Sequence, residues 1–327
     1  MSDLVLGVDG GNSKTELVLA TRSGRILTRV RGEGTQPQLD GMSSTAARLA
    51  DLVRQARDEA GLPGAAPIAV GAYFLANVDV PAAERAARRE IARLGLTERT
   101  IVHNDALAVL RAGARDGWGV AVAAGAGINA VGVRPDGRTA RFLALGDVTG
   151  DWGGGSSVGV AGLGAAVRAG DGRGPGTALR RTLPAHFGMR TPEQVAVAVS
   201  TGRLPHARLH TLAPLVFLAA EQGDPVAREI VVRLGDEVVV MVTALLRRLR
   251  LLSTETPVIL GGGTLQNGST LVRERISEGL AGAAPRARPV VLDVAPVAGA
   301  VIEALAAVGA SSRARSLSRR SLTLRPG

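Results

Sequence analysis

The sequence predicts an α/β protein built from two related halves. Strand-like and helix-like patterns alternate along its 327 residues, as is typical of sheets covered by helices. A run of strand, glycine turn, strand, Gly-Arg turn and strand occurs twice, and its copies start about 115 residues apart. The chain is also long enough for two domains, since one domain typically spans roughly 100–200 residues.

The repeated pattern predicts a β-meander at the start of each half. In the first copy the strands cover residues 4–8, 15–20 and 26–30, with glycine turns at 9–14 and 23–25. In the second copy they cover residues 119–124, 128–133 and 139–145, with turns at 125–127 and 136–138. Two copies are too few for a solenoid, so they indicate a duplicated architecture.

The remaining elements follow from apolar spacing and from their glycine and proline boundaries. In the first helix, for example, Ala46, Leu49 and Val53 share one face, and the pattern stops at Gly61. Helices are predicted at residues 42–60, 81–94, 106–112, 156–169, 192–199, 207–222, 224–252 and 297–308. Further strands are predicted at residues 67–75, 100–103, 257–260 and 290–292.

Composition excludes several classes of protein. The chain has no cysteine, which rules out disulfides, Cys-ligated zinc or iron–sulfur sites and a thiol nucleophile. No apolar run reaches the ~18 residues of a membrane span, and the N-terminus lacks the basic region of a signal peptide. We therefore expect a soluble, cytoplasmic protein with no membrane partner.

The net charge of +10 is a weak sign of nucleic-acid binding. Lys14 is the only lysine, so the basic residues are almost all arginine, and aromatic residues make up only 2% of the chain. Residues 311–327 carry arginines at positions 313, 315, 319, 320 and 325 and no acid. We expect a disordered, solvated tail there, with a polyanion contact or a packing segment as the alternatives.

Two glycine-rich segments resemble nucleotide motifs that do not apply. Gly125–Ala130 fits G-x-G-x-x-G/A, but a strand rather than a helix follows it, so it does not predict a Rossmann site. The turn at residues 10–15 has Ser13 before Lys14, where a P-loop needs glycine. Both segments predict hairpins instead.

Glycine hairpins can still bind phosphate, because backbone N–H groups approach anionic oxygens closely where no Cβ intervenes. A tight hairpin needs glycine anyway, so one such loop is weak evidence. Here two loops occupy equivalent places in the two halves, and a third glycine turn follows a strand at Gly261. Two loops could clamp a triphosphate between domains, and the third could admit a flat adenine.

Two aspartates are candidates for chemistry. Asp105 follows a strand and opens a helix, where it is either an N-cap or a catalytic carboxylate; Asn104 could cap in its place. Asp151 lies beside Trp152 in the glycine-rich segment 150–156, which is either a loop with a cap or a mobile loop that binds sugar hydroxyls.

Taken in order, these segments resemble the sugar-kinase/Hsp70/actin superfamily, and within it the N-acetylglucosamine kinases of the BadF/BadG/BcrA/BcrD ATPase group. The resemblance runs from Leu4 to about Val308. It implies a duplicated ribonuclease-H-like (actin/hexokinase-type) α/β fold with two domains and an interdomain cleft. The domains would cover residues 1–112, completed by the helix at 297–308, and residues 113–296, followed by the tail at 311–327.

The resemblance also implies ATP-dependent phosphorylation of an amino sugar, N-acetylglucosamine to its 6-phosphate, with ATP and Mg²⁺ as cofactors. It makes Asp105 the catalytic base and Asp9 the magnesium residue; a homodimer stays open. The nucleotide-binding residues it implies are Asp9, Gly10, Gly11, Asn12, Ser13, Lys14, Thr15, Gly125, Ala126, Gly127, Gly261, Gly262 and Gly263. The sugar-binding residues it implies are Thr35, Gln36, Asn104, Asp105, Asn129, Gly150 and Asp151.

Departures from the family pattern leave alternatives open. Ala126 stands where a hydroxyl residue is common, and Gln36 stands where the N-acetylglucosamine kinases carry asparagine. Lys14 either neutralises phosphate or is a solvated surface lysine. The absence of cysteine excludes the related dehydratase activators. The alternatives are a kinase for glucosamine or N-acetylmuramic acid, or an ATPase that drives a partner protein.

Overall fold

The computed structural model describes residues 3–35, 41–62, 66–267 and 269–324. Its first sheet contains β1 (Leu4–Gly10), β2 (Lys14–Thr21), β3 (Ile26–Glu33), β4 (Val70–Leu75) and β5 (Arg99–Asn104), in the order β3-β2-β1-β4-β5. Strands β1, β2 and β3 form the antiparallel meander, whereas β4 and β5 run parallel to β1. The predicted first copy of the repeat is therefore one half of a mixed sheet.

The second sheet repeats this topology. It contains β6 (Gly119–Ala124), β7 (Ile128–Val133), β8 (Thr139–Arg141), β9 (Thr256–Gly261) and β10 (Ala287–Val291), in the order β10-β9-β6-β7-β8. If β6 is matched to β1, the two sheets have the same strand order. The prediction of a duplicated α/β fold is confirmed.

The helices of the described residues cover most of the predicted positions. They are α1 (Met42–Glu59), α2 (Pro81–Arg93), α3 (Asp105–Gly113), α4 (Gly154–Gly170), α5 (Leu179–His186), α6 (Pro192–Ser200), α7 (Ala213–Glu221), α8 (Pro225–Arg248), α9 (Gly263–Gln266), α10 (Thr270–Ala283), α11 (Val297–Ala307) and α12 (Ser312–Ser321). The helices α5, α9, α10 and α12 were not predicted. The single helix predicted at residues 207–222 is divided into a 3₁₀ segment (His206–Leu212) and α7, with Pro214 in the first turn of α7. Among the described helices, none is long and apolar enough to cross a membrane.

The core of the first sheet explains why its strands are continuous apolar runs. Every residue of β4 is buried, and Leu6, Leu17 and Leu75 belong to one cluster with residues of α1 and α2. Helix α11 also packs closely on this sheet, because a Cβ at Gly7 would lie 2.6 Å from the backbone nitrogen of Val301. Strands covered on both faces lose the alternation of exposed and buried residues.

The chain forms two compact units. Unit 1 comprises Met1–Ala121, Ala130–Leu145 and Val290–Gly327; unit 2 comprises Val122–Asn129 and Gly146–Pro289. Helix α11 thus belongs to unit 1, together with α3, on which it packs. Residues 113–121 and 130–145, which the sequence assigns to the second domain, cluster with unit 1.

The expectation of a disordered tail is wrong for residues 312–324. Ser311 caps α12 by accepting the Ala314 N–H, and the Ser318 hydroxyl donates to the Gly24 carbonyl at 2.8 Å. Arg319 donates to the Ala112 carbonyl at 2.9 Å and pairs with Asp293 at 2.6 Å. The buried side of this helix is formed by the small residues Ala314 and Ser318. The segment therefore lacks the periodic large apolar residues that predict packing. Residues 325–327 lie outside the described residues.

Candidate active site

The candidate site in unit 1 lies where three parallel strands end. Asp9 of β1 pairs in register with Phe74 of β4, which in turn pairs with His103 of β5. Adjacent strands are about 4.8 Å apart, so positions on β1 and β5 are separated by about 10 Å. Asp9 and Asp105 therefore occupy the same carboxyl edge of the sheet, where open α/β sheets typically bind ligands.

Asn104, not Asp105, is the N-cap of α3. The Asn104 side-chain oxygen accepts the backbone N–H of Ala106 at 3.0 Å, and Asp105 is the first helical residue. Burial raises the pKa of Asp105 to about 6, although the backbone N–H groups of Ala106 and Asp105 oppose the rise. The N-cap role therefore belongs to Asn104, as one of the two interpretations allowed, and the catalytic role of Asp105 stays a prediction.

The pKa of Asp9 is raised further than that of Asp105. Burial raises its pKa to about 7, with further increases from the negative charges of Asp105 and Glu16 and a decrease from Lys14. Because the negative charges of Asp105 and Glu16 raise the pKa of Asp9, a cation is favourable beside this carboxylate. The edge of the sheet therefore concentrates negative charge at Asp9 and Asp105.

Lys14 forms an ion pair within its own hairpin. Its ammonium group lies 2.9 Å from Glu16, whose other carboxylate oxygen lies 2.7 Å from Arg29. Burial alone would raise the pKa of Glu16, but the hydrogen bonds and charges of Lys14 and Arg29 outweigh it and lower this pKa. Lys14 is half-exposed and brings positive charge close to Asp9.

The predicted phosphate loop between β1 and β2 contacts the predicted sugar turn. The Gly11 N–H donates to the Lys14 carbonyl at 2.9 Å, and the Gly11 carbonyl accepts from the Thr35 N–H at 3.0 Å. A Cβ at Gly34 would overlap the Asn12 carbonyl, so only glycine allows this approach. Ser13 is exposed, whereas Gly10 and Thr15 are buried.

Two threonine hydroxyls near this loop have no partner. Thr15 and Thr35 are fully buried, and neither hydroxyl has a hydrogen-bond partner among the residues that the structure describes. Unpaired buried hydroxyls are uncommon and call for an explanation such as a bound group or water. Gln36, the other predicted residue of the sugar turn, lies outside the described residues.

The second predicted phosphate loop lies in unit 2, against the start of α4. The Gly125 N–H donates to the Gly127 carbonyl at 3.0 Å, while the Gly125 and Ala126 carbonyls accept the N–H groups of Gly155 and Ser156, both at 2.8 Å. A Cβ at Gly125 or Gly127 would meet no atom within 4 Å. The carbonyls of Gly125 and Ala126 are thus hydrogen-bonded to α4, whereas the space beside Gly125 and Gly127 is open.

The predicted adenosine turn packs on the same loop. Gly262 has a φ of +85°, and a Cβ there would overlap the Ala124 carbonyl, so this position requires glycine. The Thr264 hydroxyl donates to the Gly125 carbonyl at 2.8 Å. Unit 2 therefore brings Gly261, Gly262 and Gly263 together with the second phosphate loop, and Thr264 is a contact that sequence reasoning missed.

The predicted substrate loop is held at one end. Gly154 has a φ of +69°, and a Cβ there would overlap the Gly127 carbonyl, so close packing requires this glycine. Before it, Asp151 accepts from the Thr149 hydroxyl, and the Arg233 guanidinium lies 4.0 Å from the centroid of the Trp152 ring. Gly150 is exposed with a φ of +75°, and Asn129 is half-buried on β7.

Sequence reasoning missed two residues at the edge of the first sheet. Asn77 has a φ of +61°, and its side-chain amide donates to the Asn12 side chain at 2.5 Å. Asp79 is buried and accepts from the Asn104 amide at 2.7 Å. The signal was present as Asn-x-Asp within four residues of the end of the buried strand β4.

Comparison with known proteins identifies the family. The sequence model of the BadF/BadG/BcrA/BcrD ATPase family matches residues 6–304. The chain belongs to this family. Two curated relatives of this BadF/BadG/BcrA/BcrD ATPase are named as kinases. An N-acetylmuramic acid/N-acetylglucosamine kinase of Clostridium acetobutylicum is 25% identical over 83% of this chain and 88% of its own length. An N-acetyl-D-glucosamine kinase of Dictyostelium discoideum is 23% identical over 84% of this chain and 91% of its own length.

Solved structures confirm the fold class of this family member. A candidate N-acetylglucosamine kinase of Chromobacterium violaceum superposes with a TM-score of 0.73 at 26% identity, covering 92% of this chain and 98% of that one. A ROK family glucokinase of Streptomyces griseus, solved with glucose and AMPPNP, has a TM-score of 0.57 at 20% identity over 97% of this chain and 99% of that one. At that identity the glucokinase supports the fold alone.

Proposed function

We propose that this BadF/BadG/BcrA/BcrD ATPase phosphorylates an amino sugar from ATP, with N-acetylglucosamine as the preferred substrate and its 6-hydroxyl as the acceptor. One observation carries the proposal: Asp105 lies at the carboxyl edge of the first sheet, is relieved of capping by Asn104, and has a pKa of about 6. The names of the kinase relatives from Clostridium and Dictyostelium support the choice of substrate class.

Asp105 would act as the general base. A carboxylate with a pKa of about 6 is mostly ionised at neutral pH, yet it holds a proton more readily than an ordinary aspartate. It would accept the proton of the sugar hydroxyl as that oxygen attacks. The side chain of Asn104 caps the helix, while the Asp105 carboxylate accepts the backbone N–H groups of Ala106 and Asp105, which would orient it at the helix N-terminus.

The residues present fit a nucleotide with Mg²⁺. The Asp9 carboxylate is held near other negative charges, and in the described residues no group of three or more metal-binding side chains gathers around it. Mg²⁺ typically binds through one or two carboxylates, keeps several waters and neutralises phosphate charge when bound, so Asp9 would hold it. The Gly11 N–H is used within its turn, so Asn12 and Ser13 would supply the first loop's phosphate contacts.

Unit 2 has candidate nucleotide-binding loops of its own. The open space at Gly125 and Gly127 suits the approach of anionic oxygens, and the adjacent turn at Gly262 suits a flat base. In unit 1, Thr35 would contact a sugar hydroxyl, since its own buried hydroxyl has no partner among the residues that the structure describes. N-acetylmuramic acid is the second candidate substrate, because the Clostridium relative is named for both sugars.

The test is a coupled assay of ADP release with a panel of sugars. N-acetylglucosamine, N-acetylmuramic acid, glucosamine and glucose are supplied separately, and the product is identified by ³¹P NMR. We expect ADP release that depends on an N-acetylated amino sugar and yields a 6-phosphate. A rate that is the same with and without every sugar would contradict the proposal and favour an ATPase that drives a partner protein.

A further inference from the structure

One short loop contacts both functional segments of the first sheet. Residues 76–80 connect β4 to α2, and we call them the brace loop. The Ala76 N–H donates to the Gly10 carbonyl at 2.7 Å, and the Asn77 amide donates to Asn12 at 2.5 Å. At its other end, Asp79 accepts from Asn104 at 2.7 Å. The brace loop therefore bonds to the first phosphate loop and to the N-cap of the helix that carries the proposed base.

We propose that the brace loop fixes the phosphate loop and the general base in place, with Asn77 and Asp79 as its positioning residues. The proposal rests on the function proposed above, in which the first phosphate loop binds ATP and Asp105 accepts the sugar proton. Neither Asn77 nor Asp79 touches the reacting atoms in this scheme. Each acts through an asparagine, Asn12 or Asn104.

Asn77 has a backbone conformation that few residues with a side chain adopt. A φ of +61° is costly for most residues, and glycine adopts it most readily. Asparagine tolerates this conformation and in addition supplies an amide. That amide is part-buried and reaches Asn12, which lies 65 positions earlier in the chain at the tip of the β1–β2 hairpin. The contact holds the Asn12 side chain of the phosphate loop in one orientation. A glycine at position 77 would not supply this hydrogen bond.

Asp79 fixes the orientation of the Asn104 amide. A carboxylate only accepts, so the Asn104 nitrogen must face Asp79, and the Asn104 oxygen is then directed to the Ala106 N–H. If the amide turned over, two donors would face each other at the helix N-terminus and the cap would be lost. Asp105 would be the nearest side chain able to replace Asn104 as the cap. Its carboxylate would then be turned toward the helix and away from the position of a general base.

The first test separates the Asn77 side chain from its backbone. Asn77→Gly removes the amide but accepts the positive φ without strain. We expect the Kd for AMPPNP with Mg²⁺, measured by calorimetry, to rise about 5–15-fold, the loss typical of one hydrogen bond. The melting temperature should not fall. Arg250→Gly is the matched control, since Arg250 also has a positive φ of +55° but lies outside the brace loop, and its Kd should not change.

The result is strengthened by a double-mutant cycle with Asn12→Ala. If Asn77 acts through Asn12, the Kd of the double variant should equal that of Asn12→Ala, because Asn77→Gly then has no further contact to remove. Additive losses, or an unchanged Kd in Asn77→Gly, would overturn the role of Asn77.

The second test compares two variants of Asp79. Asp79→Ala removes the acceptor, and we expect kcat at saturating sugar and ATP to fall about 10²-fold, as for a base misplaced by about 1 Å, while KM for ATP stays within about twofold. Hydrogen exchange at the Ala106 amide should become faster. Asp79→Asn keeps an acceptor oxygen and should restore kcat to within about threefold of the wild type and slow the exchange again.

Two outcomes would overturn the role of Asp79. If Asp79→Asn is as damaging as Asp79→Ala, the charge matters and the hydrogen bond does not. If Asp79→Ala equals the wild type in kcat and in exchange, Asp79 positions nothing. Should Asp79→Ala fail to fold, Asp79→Asn and the Asn77→Gly cycle still decide the proposal. A wild-type protein that releases no ADP in response to sugar would instead refute the proposed function, while nucleotide binding and exchange would still test the brace loop.

Discussion

The Asn104 side-chain oxygen accepts the Ala106 N–H at 3.0 Å, so Asp105 enters its helix with the cap position already occupied. Asp105 and Asn104 are adjacent in sequence, and each is a good N-cap residue. Because Asn104 is the N-cap, the general-base role that we propose for Asp105 does not compete with capping by this residue. Five predictions follow, three from this edge of the sheet and two from the packing of α12.

Asp105→Asn should reduce sugar phosphorylation by ~10²–10⁴-fold, the usual range for a lost general base. Binding of AMPPNP with Mg²⁺ should be nearly unchanged, because the amide preserves size and hydrogen bonding. The measurement is kcat/KM for N-acetylglucosamine together with the nucleotide Kd. Asp116→Asn is the control, since Asp116 is an exposed aspartate just beyond α3. Near wild-type turnover in Asp105→Asn would contradict a catalytic role.

The pH dependence of kcat/KM should show an acidic limb near pH 6. The raised pKa of Asp105, about 6, means that the carboxylate is ionised above this pH and protonated below it. Only the ionised form accepts a proton, so activity is present above about pH 6 and falls as the pH is lowered through that value. The residual activity of Asp105→Asn should lack this limb. A profile that stays flat down to pH 5 would argue against Asp105 as the base.

Asp9 should destabilise the nucleotide-free protein at neutral and higher pH. Its pKa is raised from 3.8 to about 7, so the folded state binds the proton more tightly than the unfolded chain does. The free energy of unfolding therefore decreases as pH rises from about 4 to about 7, and the cost is fully present above that window. Asp9→Asn should raise the melting temperature by a few degrees at pH 8 and by almost nothing at pH 4. An equal shift at both pH values would contradict this origin.

Gly24→Ala should destabilise the protein more than the same change in the second copy of the meander. Gly24 and Gly137 both have positive φ, +89° and +84°, in equivalent Gly-Arg turns. A Cβ at Gly24 would overlap the Ala314 carbonyl of α12, whereas a Cβ at Gly137 would meet nothing within 4 Å. We expect roughly 1 kcal/mol of backbone cost for Gly137→Ala and at least about twice that for Gly24→Ala. Chemical denaturation measures both.

The same packing changes what deletion of the tail should do. Without residues 311–327 the Gly24 carbonyl loses the Ser318 hydroxyl, and the Ala112 carbonyl loses Arg319. We expect a lower melting temperature and a lower soluble yield, in contrast to the dispensable tail that the sequence predicts. An unchanged melting temperature would show that α12 contributes little to unit 1.

Much of the fold was predictable, because apolar periodicity and glycine turns are local signals. The meander strands and the helices α1, α2 and α8 all follow from such patterns, whereas the shared edge of Asp9 and Asp105 became visible only in the sheet. The helices α5 and α12 were missed for physical reasons. Pro184 interrupts the pattern of α5, and the buried side of α12 consists of small residues such as Ala314 and Ser318. Such helices are identified by their contacts, not by their composition.

The sequence by itself determined the duplicated α/β architecture, the order of the glycine loops and the presence of Asp105 at the end of a strand. These depend on short-range spacing, which is encoded in neighbouring residues. Only the tertiary structure decided that Asn104 caps α3, that Lys14 pairs with Glu16, and that Asp79 and Asn77 contact the site. The physical reason is that hydrogen bonding and burial depend on which strands lie side by side. Asn77 meets Asn12, 65 positions away, only because β4 pairs with β1.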